Sequence, residues 1–206
     1  MNNKINVVGY VESEPEFNHE VYGEKFYRFI VACPRKSNTK DFLPIIVSDR
    51  LVNINDITVD KAVDITGQIR SHNKRESKDS IKAKLIISVF ATDLAYVSEE
   101  DIIPYMDNNV IIEGFVCKPP VYRVTPKGRE IADMLIAVNR AYGKSDYIPC
   151  ITWGRNARFA GNLDIGYGVV INGRLQSREY VKHLEDGTEV INTAYELSVS
   201  KIAYLE

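Results

Sequence analysis

Short runs of alternating apolar and polar residues, punctuated by glycine and proline, dominate the chain, and they predict strands rather than helices. In the second half, residues 109–116 read as a short apolar strand, with 130–139 and 147–153 as the next two. Thr125-Pro-Lys-Gly128 lies between the first pair and reads as a turn, because proline presets φ and glycine accepts a positive φ. One stretch breaks the alternation. In 155–163, Ala157, Phe159, Ala160 and Leu163 recur at helical spacing, which predicts a short helix. Segments 168–177 and 190–200 close the set as a hairpin whose loop ends at Gly187.

The first half repeats this order. At an offset of 105 (114 against 9), residues 9–50 align with 114–155 without a gap. Identical pairs include Gly9/Gly114, Gly23/Gly128, Ala32/Ala137, Arg35/Arg140, Asp41/Asp146 and Pro44/Pro149. After one added residue, Val63, Ile65, Gly67 and Ser71 face Val169, Ile171, Gly173 and Ser177, and Ala95-Tyr96 faces Ala203-Tyr204. Matches that stay in order mark an internal duplication. Residues 49–57 fall in the helix slot of the first copy.

Strands, a helix between the third and fourth, and a closing hairpin follow the order of an OB-fold. A β-sandwich of similar strand count does not require the helix. The expectation is an all-β protein of two tandem OB-fold barrels, each five-stranded with a short helix between strands 3 and 4. Residues 1–97 form the N-terminal domain and 108–206 the C-terminal domain. The acidic, proline-containing stretch Ser98-Glu-Glu-Asp-Ile-Ile-Pro-Tyr-Met-Asp107 is the linker.

Charge narrows the function. Across 206 residues, 26 basic side chains meet 28 acidic ones, which excludes a strongly basic nucleic-acid coat but permits a local basic groove. Cys33, Cys117 and Cys150 are odd in number and show no CxxC spacing, so neither a disulfide framework nor a zinc site is expected. They read as buried or half-buried thiols in a reducing compartment. His19, His72 and His183 lie far apart in polar sequence and read as surface residues rather than metal ligands. No metal or cofactor is expected. The N-terminus enters a strand pattern without a signal-peptide arrangement, and no apolar run is long enough to span a bilayer, so a cytoplasmic protein is expected. No GxGxxG, Walker-type, HExxH or GxSxG pattern occurs, and Glu185-Asp186 beside Gly187 reads as a solvated turn, which argues against an enzyme.

The second half resembles the bacterial single-stranded DNA-binding protein family. The resemblance is carried by Asn109-Val-Ile-Ile-Glu-Gly-Phe-Val116, Pro120, Thr125-Pro-Lys-Gly128 and Ala132-Asp-Met-Leu-Ile-Ala-Val-Asn-Arg140. Ile151-Thr-Trp-Gly-Arg155 and Gly173-Arg-Leu-Gln-Ser-Arg-Glu-Tyr180 follow in order. It implies sequence-independent binding of single-stranded DNA in replication, recombination or repair, with bases stacked on aromatics. The family's stacking positions fall on Tyr142, Tyr147, Trp153 and Tyr180. Burial at the end of an apolar strand also accounts for Trp153, whereas Tyr142 and Tyr180 sit in polar segments where burial is a poorer explanation. The interleaved basic residues Arg140, Lys144, Arg155, Arg174, Arg178 and Lys182 are the expected phosphate ligands.

In the first half the four stacking positions hold Ser37, Phe42, Ser48 and Lys74, so Phe42 alone remains as a platform. Charge is kept instead in Arg35, Lys36, Lys40 and the run Lys74-Arg75…Lys78, and Tyr22 and Tyr27 have no aromatic counterparts. These departures predict a first domain turned toward a structural or partner-binding role, with the second carrying most of the affinity. The chain stops at Glu206 directly after its last strand, where cellular members of the family continue into an acidic tail, so a specialised relative without that tail is expected. By analogy with the family's four-barrel assemblies, a homodimer with four OB folds in total is expected. The competing reading is an OB-fold protein-interaction module of a replication or primosome assembly with little nucleic-acid affinity.

Overall fold

In a computed structural model, residues 2–75, 83–98, 100, 108–183 and 187–205 are described. The first half folds into β1 (Asn3–Val11), β2 (Glu16–Val21), β3 (Glu24–Pro34), β4 (Lys40–Ser48), β5 (Ala62–Arg75) and β6 (Ala83–Tyr96). The second contains β7 (Asn108–Val116), β8 (Val121–Val124), β9 (Glu130–Asn139), β10 (Ser145–Trp153), α1 (Arg155–Gly161), β11 (Gly168–His183) and β12 (Glu189–Tyr204).

Each half closes as a five-stranded OB barrel. β1 pairs with β5 and then switches to β3 at Tyr10↔Ala32; β7 pairs with β11 and switches to β9 at Phe115↔Ala137. A parallel contact, β4 with β6 and β10 with β12, completes each ring. The short β2 and β8 lie outside the rings as edge strands on β3 and β9. The duplicated glycines sit where these rings demand them. A Cβ on Gly9 or Gly114 would collide with the carbonyl oxygen of Ala32 or Ala137 across the closing seam. At Gly67 and Gly173, each beside a bulge that bends β5 or β11, it would collide with that of Phe90 or Ser198.

Alternation fills the barrels. Phe29, Leu43, Ile45, Ile65 and Val89 pack inside the first, and Ile112, Ile136, Ile148, Ile171 and Leu175 inside the second, all essentially inaccessible. Beneath the second barrel α1 buries Ala157 and Ala160. The matching slot at 49–57 departs from expectation: its only helical geometry is a single 3-10 turn, Ile54–Asp56, capped by the Asn53 side chain accepting from the Asn55 N–H. Asn53, Asn55 and Asp56 compete for backbone hydrogen bonds, and β-branched Val52, Ile54 and Ile57 resist helix, so the segment turns instead of coiling.

Other boundaries also differ. Val121–Val124 forms a strand where none was expected, and β11 and β12 run on to His183↔Glu189 rather than stopping near residues 177 and 190. The extension is a ribbon exposed on both faces, so its polar residues carry no apolar alternation. Of the expected linker at 98–107, only Ser98 and Glu100 are described, and the rest lies outside the described residues, as do 76–82 of the basic run and the Glu185-Asp186 turn. Among the described residues no helix is long and apolar enough to cross a membrane.

The barrels are joined by hydrogen-bonded sheet. β1 and β7 pair antiparallel from Asn3↔Ile112 to Val7↔Asn108, which makes all twelve strands one continuous sheet with an approximate two-fold axis at its centre. Two buried asparagines related by the repeat lock this seam. The Asn3 amide donates to the Ile69 carbonyl (2.7 Å) and accepts from the Ile69 N–H (2.9 Å). Asn108 makes the same pair with Leu175, at 2.6 and 2.9 Å.

Candidate nucleic-acid interface

On β10 the residues Ile148, Cys150 and Thr152 point inward, which turns Tyr147 and Trp153 outward, 41% and 42% exposed. Six residues of strand separate these two by about 20 Å. Tyr142 occupies the 3-10 turn Ala141–Gly143 between β9 and β10 and is fully exposed. Its φ of 63° is left-handed, a conformation that costs a non-glycine residue about 1–2 kcal/mol. Tyr180 lies on the extended part of β11 and is 36% exposed. The outward face between them is continuous sheet, shown by the row Asp133–Ile151–Ser198–Arg174 across β9, β10, β12 and β11. All four aromatics are thus available to solvent.

The six expected basic residues divide into two sets. Lys144, Arg155, Arg178 and Lys182 are exposed, with Arg178 reaching Glu196 at 3.9 Å. Arg140 and Arg174 are committed elsewhere. Arg140 grips the fully buried Asp146 through Nε (2.5 Å) and Nη2, and Nη2 also donates to the Ser71 carbonyl (3.0 Å). From the first barrel, Arg70 Nη1 adds a 3.1 Å bond and the Ser71 N–H a 2.5 Å bond to the same carboxylate. In return Ser71 Oγ accepts from the Tyr147 N–H (2.7 Å).

The reciprocal network surrounds the equally buried Asp41. Arg35 of its own barrel, Arg174 Nη2 of the other (2.6 Å) and the Ser177 N–H (2.9 Å) all donate to it. The hydrogen bond to Asp41 holds the Arg35 guanidinium above its ordinary pKa against the opposing effect of burial. These charge-assisted clusters bind barrel to barrel. The signal for them was in the sequence: Arg35/Arg140, Asp41/Asp146 and Ser71/Ser177 are identical pairs of the repeat.

In the first barrel Phe42 is 39% exposed, and its N–H donates to Ser177 Oγ. Ser48 is buried against Glu24, and Lys74 is exposed. An open cleft of about 1060 Å³ crosses the outward face of this barrel, from β2 to the β12 arm of its neighbour. Sequence reasoning did not find it, because its lining comes from six strands of two barrels.

The family model of the single-strand binding protein family matches residues 107–205. Over 108 residues, 49% of this chain, the sequence is 34% identical to single-stranded DNA-binding protein A of Bacillus subtilis (strain 168), 60% of which is covered. Single-stranded DNA-binding protein 1 of Staphylococcus aureus (strain COL) matches at the same identity with 62% of its length covered. The chain therefore spans about three fifths of the length of these curated relatives. The structure of wild-type single-stranded DNA binding protein from Thermus aquaticus superposes with a TM-score of 0.75, covering 99% of this chain and 93% of that one at 16% identity, a likeness of fold across both barrels. The matched residues coincide with the barrel that carries the exposed aromatics, and it is this second barrel that is similar to the single-strand binding protein family.

Proposed function

We propose that the protein binds single-stranded DNA without catalysis or sequence preference, chiefly by stacking bases on Tyr142, Tyr147, Trp153 and Tyr180. The observation that carries this reading is that all four side chains stand in solvent on one barrel whose core is already complete without them. Stacking tolerates any base because every base has a π-face. Lys144, Arg155, Arg178 and Lys182 are the phosphate contacts on this barrel, while Arg140 and Arg174 hold the barrels together. Four platforms at about 1–3 kcal/mol each give a gross gain of about 4–12 kcal/mol, against about 8 kcal/mol for micromolar binding. The curated relatives, named as single-stranded DNA-binding proteins, support the ligand class.

Two chains associate in this reading to give four barrels. Ile111 and Phe115, about 40% exposed on β7 beside the central seam, supply apolar surface for that contact.

The test is fluorescence titration with oligo-dT, for which Trp153 is the sole tryptophan reporter. Quenching is expected on binding. Tyr180→Ala should weaken affinity by about 1–3 kcal/mol, or about 5- to 150-fold, with unchanged melting temperature. Absence of binding at tens of micromolar protein, or wild-type affinity in Tyr180→Ala together with Tyr142→Ala, would refute the proposal.

A further inference from the structure

The twelve-stranded sheet ends at β2 on one side and at β8 on the other, and among the described residues no further strand lies beyond either. Every residue of both strands is exposed. The approximate two-fold relates the two ends, and the offset of 105 places residues 12–24 on 117–129 one for one. Their charges are opposite. Residues 12–24 hold five carboxylates, Glu12, Glu14, Glu16, Glu20 and Glu24, and no Lys or Arg. Residues 117–129 hold Lys118, Arg123, Lys127 and Arg129, and no Asp or Glu.

The neighbouring strands reduce this contrast without removing it. Across the β2–β3 ladder Glu16 faces Arg28 and Glu20 faces Lys25. Asp49 accepts from the Lys25 N–H, and Arg50 lies 3.6 Å from Glu24. The five carboxylates with Asp49, set against Lys25, Arg28 and Arg50, leave the first edge at −3. At the other edge Arg123 pairs with Asp133, and Glu130 accepts from Tyr122 and Arg158. The four cations with Arg158, set against Glu130 and Asp133, leave it at +3. Apolar side chains stand among these charges, with Phe17 and Val121 each 59% exposed.

Charge on an edge strand ordinarily prevents sheets from pairing with one another, which requires that all edges carry the same sign. Here the same repulsion forbids β2 against β2 and β8 against β8 but favours β2 against β8. We infer that the two ends of the sheet are complementary self-association surfaces, with the β2 edge of one chain docking on the β8 edge of the next. Such a contact is head to tail, so each added chain presents a fresh edge and growth continues past two chains. The bulge between Phe17 and His19 and the four-residue length of β8 keep the contact short. It is therefore weak and screened by salt, and it forms above micromolar concentration at low ionic strength. The inference goes beyond single-strand binding and is tested without DNA.

The experiment is sedimentation equilibrium of the full chain at rising concentration, at about 10 mM salt, where charges interact over about 30 Å, and at about 1 M, where they interact over about 3 Å. At low salt the mean mass should climb with concentration beyond twice the 23.4 kDa chain, and at high salt the climb should disappear. Two variants reverse one edge each at exposed positions: Glu12→Lys with Glu14→Lys and Glu20→Lys, and Lys118→Glu with Lys127→Glu and Arg129→Glu. Each alone has two edges of one sign and should not grow, while an equimolar mixture regains unlike edges and should grow again. Recovery in the mixture excludes misfolding as the cause of either loss. A wild-type mass independent of concentration at low salt, growth of either variant alone, or no growth in the mixture would overturn the inference while leaving the proposed function intact. So would a basic-edge variant that only lowers the salt slope of oligo-dT binding, which would assign that edge to phosphate.

Discussion

Replacing Asp146 by alanine tests the claim that Arg140 serves the barrel junction rather than phosphate. Asp146 is fully buried and accepts hydrogen bonds from Arg140, Arg70 and the Ser71 N–H. Removing it leaves two guanidinium groups without their counter-ion and one buried N–H without an acceptor. Breaking a buried ion pair from one side costs about 3–5 kcal/mol. Here the arginine side chains keep 27% and 29% of their exposure, so water can reach them in part and the lower end, about 3 kcal/mol, is the expected loss. For a chain of this length each kcal/mol lowers the melting temperature by about 2–4 °C, which gives a drop of about 6–12 °C by calorimetry. Because the same carboxylate serves both arginines, Arg70→Ala should add little once Asp146 is gone, and a double-mutant cycle should show the coupling. Arg140→Ala should likewise destabilise the fold while leaving the salt slope of DNA binding unchanged. A melting temperature within about 2 °C of wild type for Asp146→Ala would refute the reasoning. So would a fall of about 0.7 in the salt slope for Arg140→Ala, which would return that residue to the phosphate ligands.

Two further outcomes are expected. Burial pushes the Cys150 thiol far up, and the half-buried Cys117 thiol is also raised, chiefly by burial, so both stay protonated at neutral pH. Native protein should therefore react slowly with iodoacetamide and modify fully only in denaturant; rapid native labelling of Cys150 would contradict its placement. Light scattering should give twice the chain mass at micromolar concentration, and a strictly monomeric mass would remove the four-barrel assembly.

Much of the fold was legible because the repeat compares the chain with itself. Gly9/Gly114 and Gly67/Gly173 survive in both copies since a carbonyl oxygen lies where a side chain would go, and such a constraint is visible as identity without any structure. Strands with one wet face were also plain, as in β9, whose bounds match expectation. The β11–β12 arm was cut short because a two-sided ribbon has no buried face to impose a pattern. At the candidate site, the aromatic positions follow from local sequence, since alternation along β10 decides which way Tyr147 and Trp153 point. The roles of Arg140 and Arg174 do not, because their partners Asp146 and Asp41 are shared with a residue of the other barrel. Basic character next to aromatics is the same in sequence whether a guanidinium faces solvent or a buried carboxylate.

Fusing the two barrels into one chain has a physical consequence for how they divide the work. In a homodimer built on a two-fold axis every surface occurs twice, so a change that suits one groove is imposed on the other. Here the axis is only approximate, and the halves have kept what the junction requires. Asn3 and Asn108 make the same paired hydrogen bonds, and Asp41 and Asp146 the same cluster of donors. Even there the symmetry is of function rather than position: Arg174 aligns with Gln68, while the arginine that crosses to Asp146 is Arg70, two residues further along β5. Outside the junction nothing enforces the match. Arg28 stands against Asp133 and Lys74 against Tyr180, so at these positions the two outward faces differ in charge. A net charge of −2 leaves room for local attraction of phosphate, because the field at any groove is set by the charges that line it more than by the sum over the whole chain.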